Sequence, residues 1–395
     1  MKYLSRANSK KLRGIALLRL DFNTEDDWRM RAVLPTIKFL SCVADKIIIL
    51  SHRGRPSSSP IRALARPNPP AGGEGENWRM GEFNKKFSLR KDALRLQKLL
   101  RRRVRFIPHF DFLKIKKLII GAPAGSIFVL ENLRFLKGEE ENDKKFAKQL
   151  TSLGDYYVND AFAVSHRENA SVCAITEFLP SFVGLELEQE IMALSQIMKK
   201  PKRPLVIILG GVKLSDKLGI IQYFKNKTDW FLVGGAVANT LLMLKGVDVK
   251  RSVVVDRDPH EAKSFKKLLH SKKILIPADW RMKNEMILDI GSKTMEIFGQ
   301  KIKNAKTIIW NGPVGLMEKK PFDKGTFAVA QAIAKNRRAF SLIGGGETVT
   351  FLKKHRLDKK FSFISTAGGA MLEFLAGKRL PGIAALQEGR ASPIF

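Results

Sequence analysis

The stretch Ser341 to Leu352, SLIGGGETVTFL, decides the fold. A short apolar run breaks into three glycines and resumes with helix-compatible residues, so it reads as strand, phosphate-facing turn and helix. Gly344, Gly345 and Gly346 let a backbone approach an anion closely, and a helix starting near Thr348 aims its free N–H groups and positive dipole end there. Taken alone, a glycine run after a strand is as readily a tight structural turn. The same grammar recurs at Leu205 to Lys217 (LVIILGGVKLSDK), Trp230 to Asn239 (WFLVGGAVAN) and Thr307 to Gly315 (TIIWNGPVG). Strand-to-glycine turns repeated within one half of the chain predict one shared site at the carboxyl ends of a parallel sheet.

The first half alternates strands and helices too. Apolar runs at Ile15 to Leu20, Lys46 to Leu50, Val104 to Ile107, Ile127 to Leu130 and Tyr156 to Val158 are short and β-prone, which predicts buried parallel strands. The loops after them are basic and polar. They bring, in turn, Asp21 and Asn23 with Arg29 further on, His52 and Arg55, Asn132 and Arg134, then Asn159, Asp160, His166 and Arg167. A single loop arginine is most often a surface ion pair. Recurrence after successive strands argues for more: guanidinium forks bind carboxylate and phosphate bidentately, so a basket of them predicts a small, strongly anionic ligand.

Between the halves, Glu186 to Lys200 places Leu187, Ile191, Leu194 and Met198 on one helical face, with acidic residues early, lysines late and Pro201 after. Loop chemistry changes across this helix, so it is expected to join two domains. The expected fold class is α/β, two doubly wound, Rossmann-like parallel-sheet domains joined by a long helix and hinge. The expected boundaries are 1–185, the helix at 186–200, 201–375, and a tail at 376–395. Residues 57–86, rich in Ser, Pro and Gly, read as a mobile surface loop, with a lid or partner-binding role as the alternative.

Composition bounds the partners. Lys and Arg number 71 against 38 Asp and Glu, a formal +33 that attracts polyanions. The basic clusters, Arg101 to Arg103 with Arg105 and Lys199 to Arg203, are scattered and lack interleaved aromatics, so nucleic acid is expected only as a nonspecific partner. Cys42 and Cys173 stand far apart, which argues against a disulfide framework or zinc site and for the cytoplasm. The basic start runs into Asp21 without a cleavage pattern, and no run approaches the ~18 apolar residues of a membrane helix. Neither a signal peptide nor a membrane partner is expected.

A basic basket in one half and glycine turns in the other predict two substrates, an anion and a polyphosphate. Lys213 and Lys217 in GGVKLSDK stand at i and i+4, so they share a helix face toward phosphate oxygens or form a solvated pair. Neither a Walker A pattern nor a protein-kinase signature occurs, and no base dyad is recognisable. That absence suits a carboxylate acceptor, which is ionised at neutral pH and needs no base.

The chain resembles the phosphoglycerate kinase family over nearly its whole length. LRLDFN, SHRGRP, LENLRF, GEEEND, VNDAFAVSHR, FLPSFVG, ILGGVKLSDK, LDIGSKT, WNGPVG, PFDKGT, IGGGET and ISTAGGA occur in the family's order. The resemblance implies 3-phosphoglycerate or 1,3-bisphosphoglycerate on the first domain and Mg2+ with ADP or ATP on the second. It also implies a monomer that closes about the connecting helix, and a tail returning to the first domain. It implies a sugar-acid site of Asp21, Asn23, Arg29, His52, Arg55, Arg134 and Arg167. On the nucleotide side it implies Lys213, Lys217, Gly235, Asn311, Pro313, Glu318, Gly345, Gly346, Glu347 and Thr348, with Glu347 at the metal. Transition-state charge would fall to Arg29, Lys213 and Lys217, with backbone N–H groups near Gly346 and Gly369.

The chain also departs from the family pattern. Glu347 replaces an aspartate, lengthening the side chain by about 1.5 Å, one C–C bond. Ala236 replaces a glycine and is expected to crowd the base. Ala367 replaces another glycine and Met371 a serine, and Ala367 would be strained if its position required positive φ. The loop after Asn23 is short for the family, and Glu168 and Asn169 are unusual after the SHR arginine.

Overall fold

The computed structural model describes residues 1–56, 85–212, 215–255 and 271–389. The chain divides into two compact units, Met1–Glu190 with Arg379–Phe395, and Ile191–Lys378. The surface loop expected at 57–86 lies outside the described residues up to position 84; Lys85–Phe87 forms a 3-10 turn.

The first unit is built on strands β1 (Ile15–Arg19), β2 (Lys46–Leu50), β3 (Val104–Ile107), β4 (Ser126–Leu130), β5 (Tyr156–Asn159) and β6 (Ser181–Val183). They form one parallel sheet in the order β3-β4-β2-β1-β5-β6. The chain winds outward from β1 in one direction, then crosses to β5 on the other side, so the winding reverses between β1 and β5. Helices α1 (Trp28–Ala32), α2 (Leu34–Val43), α3 (Arg90–Leu100), α4 (Phe112–Ile120), α5 (Lys137–Glu140) and α6 (Lys144–Thr151) accompany the strands. Apolar residues fill both faces of β1 and β2, as a doubly covered parallel sheet demands. Ala16, Leu18, Ile47 and Ile49 pack with Ile37 and Leu40 of α2 and Ala93 and Leu96 of α3. Helix α7 (Leu185–Lys199) buries Leu187, Ile191 and Leu194, and the division between units falls within it.

The second unit repeats the plan with β7 (Leu205–Leu209), β8 (Trp230–Val233), β9 (Ile274–Leu275), β12 (Thr307–Asn311), β13 (Phe340–Gly344) and β14 (Phe363–Ile364). The order is β14-β13-β12-β7-β8-β9, all parallel, so winding reverses between β7 and β12. All four strands that end in glycine turns stand side by side. Between β9 and β12, β10 (Trp280–Lys283) and β11 (Met286–Ile290) make an antiparallel hairpin absent from the sequence reading. Its two-residue turn holds Asn284 and Glu285 at φ 49 and 60, the positive values of a type I′ turn. The helices are α8 (Ser215–Phe224), α9 (Gly235–Leu244), α10 (Ser292–Asn304), α11 (Lys324–Lys335), α12 (Gly346–Lys354) and α13 (Gly369–Leu375). After α13 the chain rejoins the first unit as α14 (Pro381–Glu388), where Gly382 N donates to Ser165 O at 2.8 Å.

Candidate active site

In the first unit, loops after β1, β2, β4 and β5 bring the expected acid-site residues to the carboxyl edge of the sheet. Those strands are neighbours, so their loops converge. Arg29 Nη1 donates to Asp21 Oδ2 at 2.8 Å and to Asn23 O at 3.3 Å. Asn23 Oδ1 accepts from Gly54 N at 2.8 Å, joining the first loop to the second. Arg134 is 3% exposed and donates to Gly54 O. Arg167 is half-buried, and Arg55 is exposed.

Two residues that sequence reasoning left out of the site organise it. Arg19, 1% exposed, sends Nε to Ser171 Oγ at 2.8 Å and Nη2 to His52 Nδ1 at 3.2 Å. Glu139 lies 3.8 Å from Arg19 and accepts from both Ser171 N and Ser171 Oγ. Asn132 accepts from Arg53 N and Arg134 N while donating to Arg53 O and Phe87 O, so one buried amide locks three loops. An arginine inside an otherwise apolar strand was the available signal for Arg19.

The basket is crowded with like charge. Burial first, then Arg19, Arg134, Arg167 and Arg29, hold His52 well below its usual value, so its ring is neutral. Burial, then Arg167 and Arg19, push Arg134 down to about 10. Burial, then Arg55, lower Arg167. Arg29 Nε is buried with no hydrogen-bond partner. An anion placed here would neutralise repelling cations and take up that free donor.

In the second unit, the glycine turns pack against one another. Gly210 N donates to Asn311 O at 2.9 Å, Gly211 N to Pro313 O at 2.8 Å, and Gly235 N to Val314 O at 3.0 Å. A Cβ on Gly210 would stand 2.0 Å from Pro313 O, and one on Gly312 2.4 Å from Gly210 O. This interlock lies where the winding reverses, between β7 and β12.

The three glycines after β13 divide their roles. Gly344 closes the strand, and a Cβ there would meet Met371 Sδ at 2.4 Å, so its missing side chain makes room for packing. Gly345 has φ 94, which a side chain would strain. Gly346 begins α12, two residues before the expected start, and is open. Thr348 Oγ1 and Asn311 Nδ2 flank Gly345, and both are buried with no hydrogen-bond partner. Two orphaned donors beside a helix N-terminus mark an anion position. Gly368, next to Gly369, lies close by: its Cβ would stand 3.9 Å from Gly345 Cα.

Beside these turns is an apolar slot of about 190 Å³ that includes Gly235, Ala236, Trp280, Pro313, Leu316 and Val314. Glu318 and Glu347, both exposed, stand on its rim. Beneath it Asp289 accepts from Ile290 N and Gly325 N, and burial pushes its carboxyl up to about 6. Ala236 lines the slot. Ala367 is buried and not among the residues with positive φ, so the strain considered for it does not arise. Lys217 is buried in the first turn of α8. Lys213 lies outside the described residues.

Among the described residues no cluster of three or more His, Cys, Asp or Glu is placed to hold a metal. Of the two rim carboxylates, Glu347 stands in the first turn of α12 beside Gly346, and one such group fits magnesium arriving on a polyphosphate, since that ion is usually bound by one or two carboxylates plus substrate phosphates.

The family profile described as phosphoglycerate kinase matches residues 14–378. The phosphoglycerate kinase of Dictyoglomus turgidum is 37% identical over 400 residues, covering 94% of this chain and 95% of its own. That of Geobacter metallireducens is 38% identical over 423 residues, covering 98% and 99%. Among solved structures, phosphoglycerate kinase from Coxiella burnetii has a TM-score of 0.77 at 32% identity, covering 98% of this chain and 99% of that one. The Pyrococcus horikoshii enzyme has a TM-score of 0.79 at 30% identity, covering 98% of each chain. A match of this extent in sequence and fold means that the chain belongs to the phosphoglycerate kinase family.

Proposed function

We propose that the chain catalyses reversible phosphoryl transfer between 1,3-bisphosphoglycerate and ADP, giving 3-phosphoglycerate and ATP, a step of glycolysis. The enzyme is a phosphotransferase whose acceptor in the reverse direction is a carboxylate. The observation that carries this reading is the gathering of Arg19, Arg29, Arg134 and Arg167 around a neutral His52, where burial, then Arg167 and Arg19, lower Arg134 to about 10. Buried like charges are costly unless an anion joins them.

Residues 1–185 bind the acid, through Asp21, Asn23, Arg29, His52, Arg55, Arg134 and Arg167. Residues 201–375 bind the nucleotide, 186–200 connect them, and 376–395 form the returning tail. The adenine takes the apolar slot against Gly235 and Pro313, with Glu318 at the ribose. Asn311, Gly345, Thr348 and Lys217 meet the phosphates.

In the ATP-forming direction an ADP β-phosphate oxygen bonds to phosphorus as the acyl oxygen–phosphorus bond breaks. The leaving group departs as a carboxylate that is ionised at neutral pH, so no proton has to move. Charge spreads over the transferring phosphoryl oxygens. Arg29, Lys213 and Lys217 answer it, together with backbone N–H groups at Gly346 and Gly369. Magnesium, held by Glu347 and the nucleotide's phosphates, adds positive charge there when bound. The protein works as a cytoplasmic monomer, and nucleic acid meets it only nonspecifically.

A catalytically weakened relative and a basic polyanion-binding protein are the competing readings, and a family match spanning residues 14–378 does not favour them. The test is ATP formation from ADP and 1,3-bisphosphoglycerate across magnesium and manganese titrations, beside Lys213→Ala. Turnover that is lost in the variant is expected. Folded wild-type protein without turnover in either metal would refute the reading.

A further inference from the structure

Helix α4, FLKIKKLII, carries apolar side chains on two sides. Ile115 and Ile119 are buried, whereas Leu113 is 77% and Ile120 62% exposed. Leu113, Lys116, Lys117 and Ile120 follow an i, i+3, i+4, i+7 spacing, so they form one outward stripe.

The stripe sits in a dense positive field. Between Lys85 and Ile120 the sequence has 13 Lys or Arg and 2 Asp. Of the two, Asp92 is buried against Arg53, and Asp111 pairs with Lys114 at 3.0 Å. Among the described residues, Arg101, Arg103, Lys116 and Lys117 pair with no carboxylate. Arg102 donates to Gly125 O at 2.8 Å, which fixes the α3–β3 turn beside the α4–β4 turn, and Lys46 Nζ caps α4 through Ile119 O and Ile120 O. β3 is an edge strand, so this corner faces outward. These turns precede β3 and β4, placing them at the sheet edge opposite the arginine basket.

We propose that the outer face of α4 and the Arg101 to Arg103 turn form an adsorption site for an anionic lipid surface. Cations draw the face to negatively charged headgroups, and Leu113 and Ile120 enter the boundary with the acyl chains. Nucleic acid is the poorer fit, because the exposed large apolar residues on this face are aliphatic and offer no ring for a base to stack on. The lack of a membrane-spanning run bears on insertion and leaves adsorption open. With the basket on the opposite edge of its sheet, adsorption leaves the acid site uncovered.

The test is co-sedimentation of the full chain with vesicles of phosphatidylglycerol and phosphatidylcholine in equal parts, compared with pure phosphatidylcholine, with kinase turnover checking that each variant folds. Wild type should sediment with the anionic vesicles only. Leu113→Ser with Ile120→Ser, and Lys116→Glu with Lys117→Glu, should each lower partitioning by about tenfold or more. Lys303→Glu with Lys335→Glu, on the second unit, should leave it unchanged. No sedimentation, equal sedimentation with both vesicle types, full retention by the serine variant, or an equal loss in the second-unit control would each overturn the proposal. So would tighter binding to a single-stranded oligonucleotide that the serine substitutions leave intact.

Discussion

Arg19 Nη2 lies 3.2 Å from His52 Nδ1, with both side chains almost wholly buried. A guanidinium only donates, so the facing ring nitrogen has to accept. Asp21 Oδ1, 3.7 Å from the same nitrogen, is the more distant partner. The ring therefore carries its proton on Nε2, free to donate to an oxyanion.

This relationship fixes both tautomer and titration. Burial and four arginines lower the His52 pKa, so the ring should stay neutral from pH 8 down to below the ordinary histidine midpoint of about 6.5. Long-range nitrogen-15 correlation spectra of the ligand-free enzyme should report the Nε2–H form. A proton on Nδ1, or a midpoint at the ordinary value, would contradict it. Arg19→Met should abolish the tautomer preference.

Thr348 poses a trade between stability and binding. Its buried hydroxyl has no partner in the ligand-free protein, and an unsatisfied buried group costs about 1–3 kcal/mol. Thr348→Val should raise ligand-free stability by about 1 kcal/mol while weakening ADP about tenfold, ~1.4 kcal/mol. Denaturant titration and calorimetry measure the two. Loss of stability with unchanged ADP affinity would show that the hydroxyl does not face a phosphate.

Glu347 stands exposed on the rim of the slot, in the first turn of α12. Under the proposed metal role, Glu347→Gln removes a charged oxygen ligand and should raise the magnesium concentration for half-maximal turnover about tenfold. Glu347→Asp, shorter by one carbon, should shift the magnesium-to-manganese preference and leave ADP affinity without metal unchanged. Metal titrations of turnover and metal-free ADP calorimetry decide the point. An unchanged magnesium requirement in the glutamine variant would remove Glu347 from the metal.

Burial, then Glu190 and Asp160, push Glu186 up to about 9. A carboxyl raised in the folded state binds its proton more tightly there than in the unfolded chain. Its contribution to stability is therefore full below the unfolded value near 4.5 and is lost as pH rises toward 9. Glu186→Gln, which mimics the protonated form, should melt increasingly above wild type between pH 5 and pH 8. Melting curves with a constant difference across that range would be inconsistent with the shift.

Much of the site was legible because strands punctuated by glycine or arginine loops leave a local signature. β1, β2, β7 and β12 read directly as continuous apolar runs, and their loops fell together because parallel strands share one carboxyl edge. What escaped depends on distant partners. Arg19 looks like one residue of a strand until Ser171 and Glu139, far along the chain, meet it. The packing of Met371 against Gly344 likewise joins residues well apart in the chain and leaves no local sign. The β10–β11 hairpin was hidden because Asn284–Glu285 lacks the glycine that usually marks a type I′ turn.

The mutual wedging of Gly210, Gly312 and Gly235 has an evolutionary consequence. Backbone-to-backbone contacts leave no room for a side chain, so these loops behave as one mechanical part that tolerates almost no drift. Under the proposed function, variation in nucleotide preference falls instead to slot residues such as Ala236, Trp280 and Leu316, whose side chains shape the slot without disturbing the interlocked turns.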